Sequence, residues 1–224
     1  MDFNVLVDSL PQLLSGLQNT FILTALGLLS GSILGILMAM GRNFGGRVLS
    51  TAVYLYEKVF RGIPLLVIFF LIYFGLSQVG INLDPITSAV LGLGLRSAAY
   101  QAQIFRSALN SIPEGQSTAA RSLGMGKLQT IRSILLPQVL RLSIPGWSNE
   151  FTIVLKDTSI AFSIGVVELM RQGRYVYVRN PEMVLPIFLL IAVIYFVLVV
   201  SINKSLGFLE KKYRMKGFEL TVER

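Results

Sequence analysis

Apolar runs of bilayer-crossing length recur along this chain between short polar or basic linkers, and nothing constrains its fold more. They cover residues 17–40, 53–76, 86–109 and 185–202, each long enough to carry a helix through about 30 Å of hydrocarbon. Lipid offers no partner to backbone N–H and C=O groups, so each run is expected to be helical. A fifth segment, 139–170, is apolar but interrupted by Pro145, Gly146, Asn149, Glu150, Lys156 and Asp157. Hydrophobic residues make up 53% of the 224 and charged ones 14%, with a mean hydropathy of +0.66, which is not a soluble balance. The expected fold class is an all-α membrane protein, a single transmembrane domain over 1–224.

The residues that are missing narrow the chemistry. There is no Cys and no His, which removes disulfides, thiolate nucleophiles, imidazole bases and His-ligated zinc. The net charge of +8 is spread over linkers and a tail, without the single basic stripe of a nucleic-acid binder. Carrying a solute is therefore favoured over reacting with one.

Charge placement sets the expected topology. The N-terminus carries Asp2 and Asp8 and no early Lys or Arg. It lacks the basic start of a cleavable signal peptide and is expected outside. Five spans then place Arg42 and Arg47, the loop with Arg106, Arg121, Lys127, Arg132 and Arg141, and the tail with Lys204, Lys211, Lys212, Arg214 and Lys216 in the cytoplasm. Arg171, Arg174 and Arg179 face the wrong way on this count, yet fewer spans would violate the rule more often. The expectation is five helices, N-terminus outside, C-terminus cytoplasmic.

The loop 110–138 is small, polar and basic between apolar spans. Pro113 suits a helix start, Ala119, Ala120 and Arg121 favour helix, and Gly124 is placed to end it in a left-handed cap. A second helix is expected from Leu128, Ile131, Ile134 and Leu135 until Pro137 stops it. Such a helix-turn-helix knob presents Ala119 and Ala120 for close approach by a partner, with Arg121, Lys127 and Arg132 for an acidic rim or lipid headgroups. A solvated basic linker is the plainer reading.

The spacing goes further. Ala119-Ala120, Gly124, Ile134 and Leu136-Pro137 stand as in the cytoplasmic EAA loop of bacterial ABC importer permeases, which this stretch resembles. Thr118 departs, standing where that family usually has Glu. "FRGIPLLVIFFLIYFG" from 60, "SAAYQAQIFRSALNSIPEGQ" from 97 and the segment 136–169 look like permeases of the polar amino acid uptake family. Gln103 departs there, where Glu often follows "AYQA". The resemblance implies a type I permease fold in the cytoplasmic membrane, with coupling helices seated in a cleft of an ATPase subunit. Thr118, Ala119, Ala120, Arg121, Gly124, Met125 and Lys127 are the coupling candidates. It further implies two copies of that ATPase, a second permease copy, expected as a homodimer, and an extracytoplasmic amino-acid-binding protein. ATP and Mg belong on the ATPase, since this chain has no G-x-x-x-x-G-K-[ST] loop.

Intramembrane polar residues are the substrate candidates. Charges in hydrocarbon are costly, so Glu150, Asp157 and Lys156 should face water or one another. Seven residues apart on a helix, Glu150 and Asp157 share a face, with Asn149 beside them. Structural readings stand alongside: Lys156 and Asp157 as a pair, or Asp157 as the cap of a helix beginning at Ile160. Tyr100, Gln101 and Gln103 line the wall or bond helix to helix, Arg96 snorkels or pairs with Glu168, and Tyr54, Tyr56 and Tyr73 form belts or packing. Acidic groups tilt the implied polar cargo toward arginine, lysine or histidine, with glutamine the alternative. A secondary transporter or channel is the competing class, and it would show paired broken spans.

Overall fold

Glycines decide which two helices form the centre. In the computed structural model, which describes residues 3–213, α2 (Leu17–Phe44) turns Gly27, Gly31 and Gly35 toward α5 (Pro85–Asn110). A Cβ at Gly31 would stand 2.8 Å from the Gln101 amide nitrogen, and one at Gly35 would stand 3.0 Å from the Ala102 backbone nitrogen. Only a hydrogen fits at these contacts, and small residues four apart let two helix backbones touch. Among the described residues every regular element is helical. Asp2, Arg214, Lys216 and the tail 214–224 lie outside the described residues.

The run 53–76 is not one straight helix. α3 (Arg47–Gly62) and the helical stretch Leu65–Gln78, which begins with α4 (Leu65–Phe70), meet at 104°. Pro64 has no N–H to continue the ladder and holds Ile63 in extended geometry, φ −91°, ψ 131°. A polar linker follows to Asp84, whose carboxylate caps α5 by accepting from the Ile86 and Thr87 amides at 3.0 and 3.1 Å.

The knob comes next as α6 (Glu114–Ser122) and α7 (Lys127–Thr130). Pro137 does not end the helix begun at Lys127. A π turn at Ile131–Leu135 shifts the ladder, and α8 (Leu136–Leu142) continues through the proline. The Pro137 nitrogen, which could not have bonded the Ser133 carbonyl, is absorbed by that change of register.

The interrupted segment breaks twice. α9 (Ile144–Asp157) starts after Ser143 with Pro145 in its first turn. Thr158–Ile164 then tightens into a 3-10 turn that ends on Gly165 at φ +100°. No α-helix runs from Ile160. Instead Glu168 caps α10 (Leu169–Arg179), accepting from the Met170 and Arg171 amides at 2.9 and 2.8 Å. α11 (Val184–Tyr213) closes the fold, packing with α10 and with α1 (Phe3–Ser15) around Leu13, Leu169, Met183 and Ile187.

The outer faces invert the soluble pattern. Leu29, Ile33 and Leu37 recur every fourth residue on the exposed side of α2, as do Leu185, Leu189 and Val193 on α11, while elsewhere in the fold Ser97, Gln101, Glu150 and Glu168 are buried. Val5–Phe44 and Pro181–Tyr213 are long and apolar enough to cross a membrane, and the bent pair around Pro64 makes a third if taken as one broken span. α5 is long enough but less apolar than these. Its Gly, Ser, Gln and Arg residues pack against protein on several sides, so lipid does not dictate its composition.

Candidate functional site

A cavity of about 900 Å³ opens between α5, the α8–α9 junction and the far end of α11. Tyr100, Gln103, Asn149 and Glu150 line its inner part, and Arg141, Glu210 and Lys211 stand at the α8 and α11 side. Glu150 is 2% exposed. Its Oε1 accepts from Ser97 Oγ at 2.7 Å, and Ser97 in turn accepts from Gln101 Nε2 at 3.0 Å. Gln101 also donates to the Leu28 carbonyl at 3.1 Å and accepts from Ser32 Oγ at 2.7 Å. Trp147 Nε1 ends the series on Ser32 Oγ at 3.0 Å. The relay pins α2, α5 and α9 together, and every buried polar group in it has a partner.

The sequence candidates thus divide. Glu150, Asn149, Tyr100 and Gln103 converge on the cavity. Gln101 is fully buried and spends both ends of its amide on helix-to-helix bonds. Asp157 sits beyond the cavity lining and is held by the Arg96 guanidinium, which also lies over the Tyr100 ring at 5.0 Å. Arg96 therefore pairs with Asp157 and not with Glu168, whose carboxylate is occupied by its cap and by Tyr195. Lys156 makes no ion pair with Asp157 and is exposed.

Around the knob, Gly124 has φ +80°. Its N–H donates to the Arg121 carbonyl at 2.9 Å and the Met125 N–H to the Ala120 carbonyl at 3.1 Å, the paired bonds of a Schellman cap. Thr118, Ala119 and Arg121 are exposed and Met125 is half-buried, but Ala120 is 4% exposed and faces inward. The pair does not present itself jointly; Leu123 and Leu128, 83% and 77% exposed, flank Gly124 instead. Lys127 turns back to the end of α2 and donates to the Phe44 carbonyl at 2.8 Å.

Residues 31–215 match the model of a family described as the binding-protein-dependent transport system inner membrane component. The chain belongs to that family. Among its relatives, the probable amino-acid permease protein YxeN of Bacillus subtilis (strain 168) is 37% identical over 89% of this chain and 90% of its own. The glutamine transport system permease protein GlnP of Escherichia coli (strain K12) is 34% identical over 96% and 98%. In structure, the chain is similar to a subunit in the crystal structure of an amino acid ABC transporter with histidines, with TM-score 0.86, 34% identity, and 95% and 99% of the two chains covered. The chain is accordingly an ABC transporter permease of the amino-acid type.

Several working residues of this inner membrane component escaped sequence reasoning. Glu57, inside the run 53–76, is 4% exposed and pairs with Arg42 and, at 3.8 Å, with Arg106. A lone carboxylate in an apolar run was the available signal. Arg61 donates to Gln103 and stacks over Tyr100 at 5.1 Å. Ser97, one helical turn before Gln101, was legible only once Glu150 lay opposite.

Proposed function

We propose that this chain is the membrane path of an ATP-driven importer for a polar amino acid, and that a cationic side chain is the preferred cargo. Five spans with the N-terminus outside, two copies of this chain around one pathway, two ATPase subunits carrying ATP and Mg, and an extracytoplasmic binding protein complete the working unit. The observation that carries the reading is Glu150, a buried carboxylate on the wall of a cavity large enough for an amino acid. A carboxylate with one oxygen held by Ser97 leaves the other free to meet an ammonium or guanidinium. Asn149, Tyr100 and Gln103 add neutral hydrogen-bonding groups. Closure of the ATPase subunits drives alternating access through the knob around Gly124.

The similarity to GlnP supports a second reading, with glutamine as cargo. Uptake by reconstituted transporter separates the two. Glu150→Gln keeps an oxygen for Ser97 to donate to but removes the charge. A hydrogen bond to a charged group is worth about 1.5–3 kcal/mol, so arginine uptake at limiting concentration should fall about ten- to hundredfold while glutamine uptake stays near its starting level. Equal retention of both sinks the cation reading. Uptake driven by an ion gradient, without the ATPase, sinks the importer itself.

A further inference from the structure

Among the described residues, the knob's side chains make one hydrogen bond to the rest of the chain. Among the described residues, Lys127 Nζ to the Phe44 carbonyl is the sole hydrogen bond that a side chain of 114–135 makes to a residue outside that segment. The acceptor sits in the last turn of α2, where carbonyls lack helical partners and carry the negative end of the helix dipole. The same ammonium lies 5.8 Å from the Phe44 ring centroid. Beside this contact, Ile131 and Leu135 pack with Phe44, Leu109 and Ile112, and a groove of about 380 Å³ runs along it, bordered by Asn43, Asn110 and Arg121 as well as by Phe44 and Lys127. The knob is thus fastened along one apolar edge and by one cation.

α2 is well placed to carry a displacement onward. Its end is bonded to α5 by Asn43 Nδ2 to Asn110 Oδ1 at 2.9 Å. From Phe44, about 18 Å along the helix leads to Ser32, which bonds Gln101 and accepts from Trp147. Gln101 and Ser97 then reach Glu150.

We infer that Lys127 is a positioning residue that ties the knob to the C-terminal end of α2, so that movement of the knob pulls on α2 and through it on the Ser32–Gln101–Ser97–Glu150 relay. It is not a contact for the ATPase subunit. The inference rests on the knob's being the coupling element.

The assembled transporter in proteoliposomes tests it, with amino acid taken up per ATP hydrolysed as the readout and ATPase retention on purification measured alongside. Lys127→Met keeps the stem and drops the charge; Lys127→Arg keeps a cation at the helix end. Lys127→Met should retain the ATPase subunit and its hydrolysis rate but lower uptake per ATP about fivefold, the weight of a good helix-end cation. Lys127→Arg should restore most of it. Loss of the ATPase subunit, a parallel fall in hydrolysis and uptake, unchanged uptake per ATP, or failure of arginine to rescue each overturns the tie. Should the permease carrying Lys127→Met not fold, Lys127→Leu, which likewise lacks both charge and donor, is read by the same criteria. Gly124→Val separates the two levels: if it uncouples and Lys127→Met does not, only the tie fails, whereas if neither uncouples, the knob itself is not the coupling element.

Discussion

Replacing Gly124 with Val tests whether the knob must hold its shape to work. The residue sits at φ +80°, and a Cβ added there would have no atom within 4 Å, so the cost is backbone strain without a clash. A left-handed conformation costs an L-residue about 1–2 kcal/mol, and β-branched valine belongs at the upper end. About 2 kcal/mol corresponds to roughly a 25-fold shift toward an opened turn. The bonds released would be Gly124 N–H to Arg121 and Met125 N–H to Ala120. Gly126 supplies the control, being equally open but at φ −67°, ψ 160°, which valine adopts freely. Uptake per ATP in proteoliposomes, with hydrogen exchange of the 123–126 amides, should show Gly124→Val uncoupled and exchanging faster, Gly124→Asn milder, and Gly126→Val near wild type. Equal damage from both valines would mean that a partner is being obstructed and the cap is irrelevant. Full coupling in Gly124→Val would refute the knob's role altogether.

Two further outcomes follow from the same contacts. Gln101→Leu removes the acceptor used by Ser32 and the donors used by Leu28 and Ser97; it should cost about 1–3 kcal/mol, lower the thermal midpoint in detergent and shift the emission of Trp147, the chain's one tryptophan, and an unchanged midpoint and spectrum would contradict the relay. The Thr87 hydroxyl and amide beside Asp84 hold its carboxyl below its ordinary value of 3.8. A depressed folded-state value means that the cap's contribution is complete above about 3.8 and is lost as pH falls through the lower folded value, so protection of the Ile86 and Thr87 amides should drop in that acid window, and protection constant from about pH 5 to about pH 2 would count against the cap.

The relay also explains why Glu150 can be kept in an apolar setting. Three helices must meet before its serine, glutamine and tryptophan partners line up, and the glycine contacts of α2 with α5 make that meeting close. The geometry holds the Glu150 carboxyl at the cavity wall.

Features set by neighbours along the chain were readable from the residues alone. Apolar runs announced helices at α2, α5 and α11, Gly124 announced a left-handed cap, and the Ala-Gly-Ile-Leu-Pro spacing of the loop carried the family resemblance, because each depends on local sterics or on the period of one helix. Proline shows where that reading stops. Pro64 and Pro137 look alike as breakers, yet one turns the chain by 104° and the other is carried through a π turn, since packing around the helix decides whether a missing hydrogen bond becomes a bend or a change of register. Long-range pairing was the larger omission. Arg96 finds Asp157 across 61 residues and Ser97 finds Glu150 across 53, while Glu57 draws Arg42 and Arg106 from two other helices. Desolvated charges must find partners, but which partner is reached depends on helix separation and rotation, and here those are set by the glycine faces that bring α2 and α5 together.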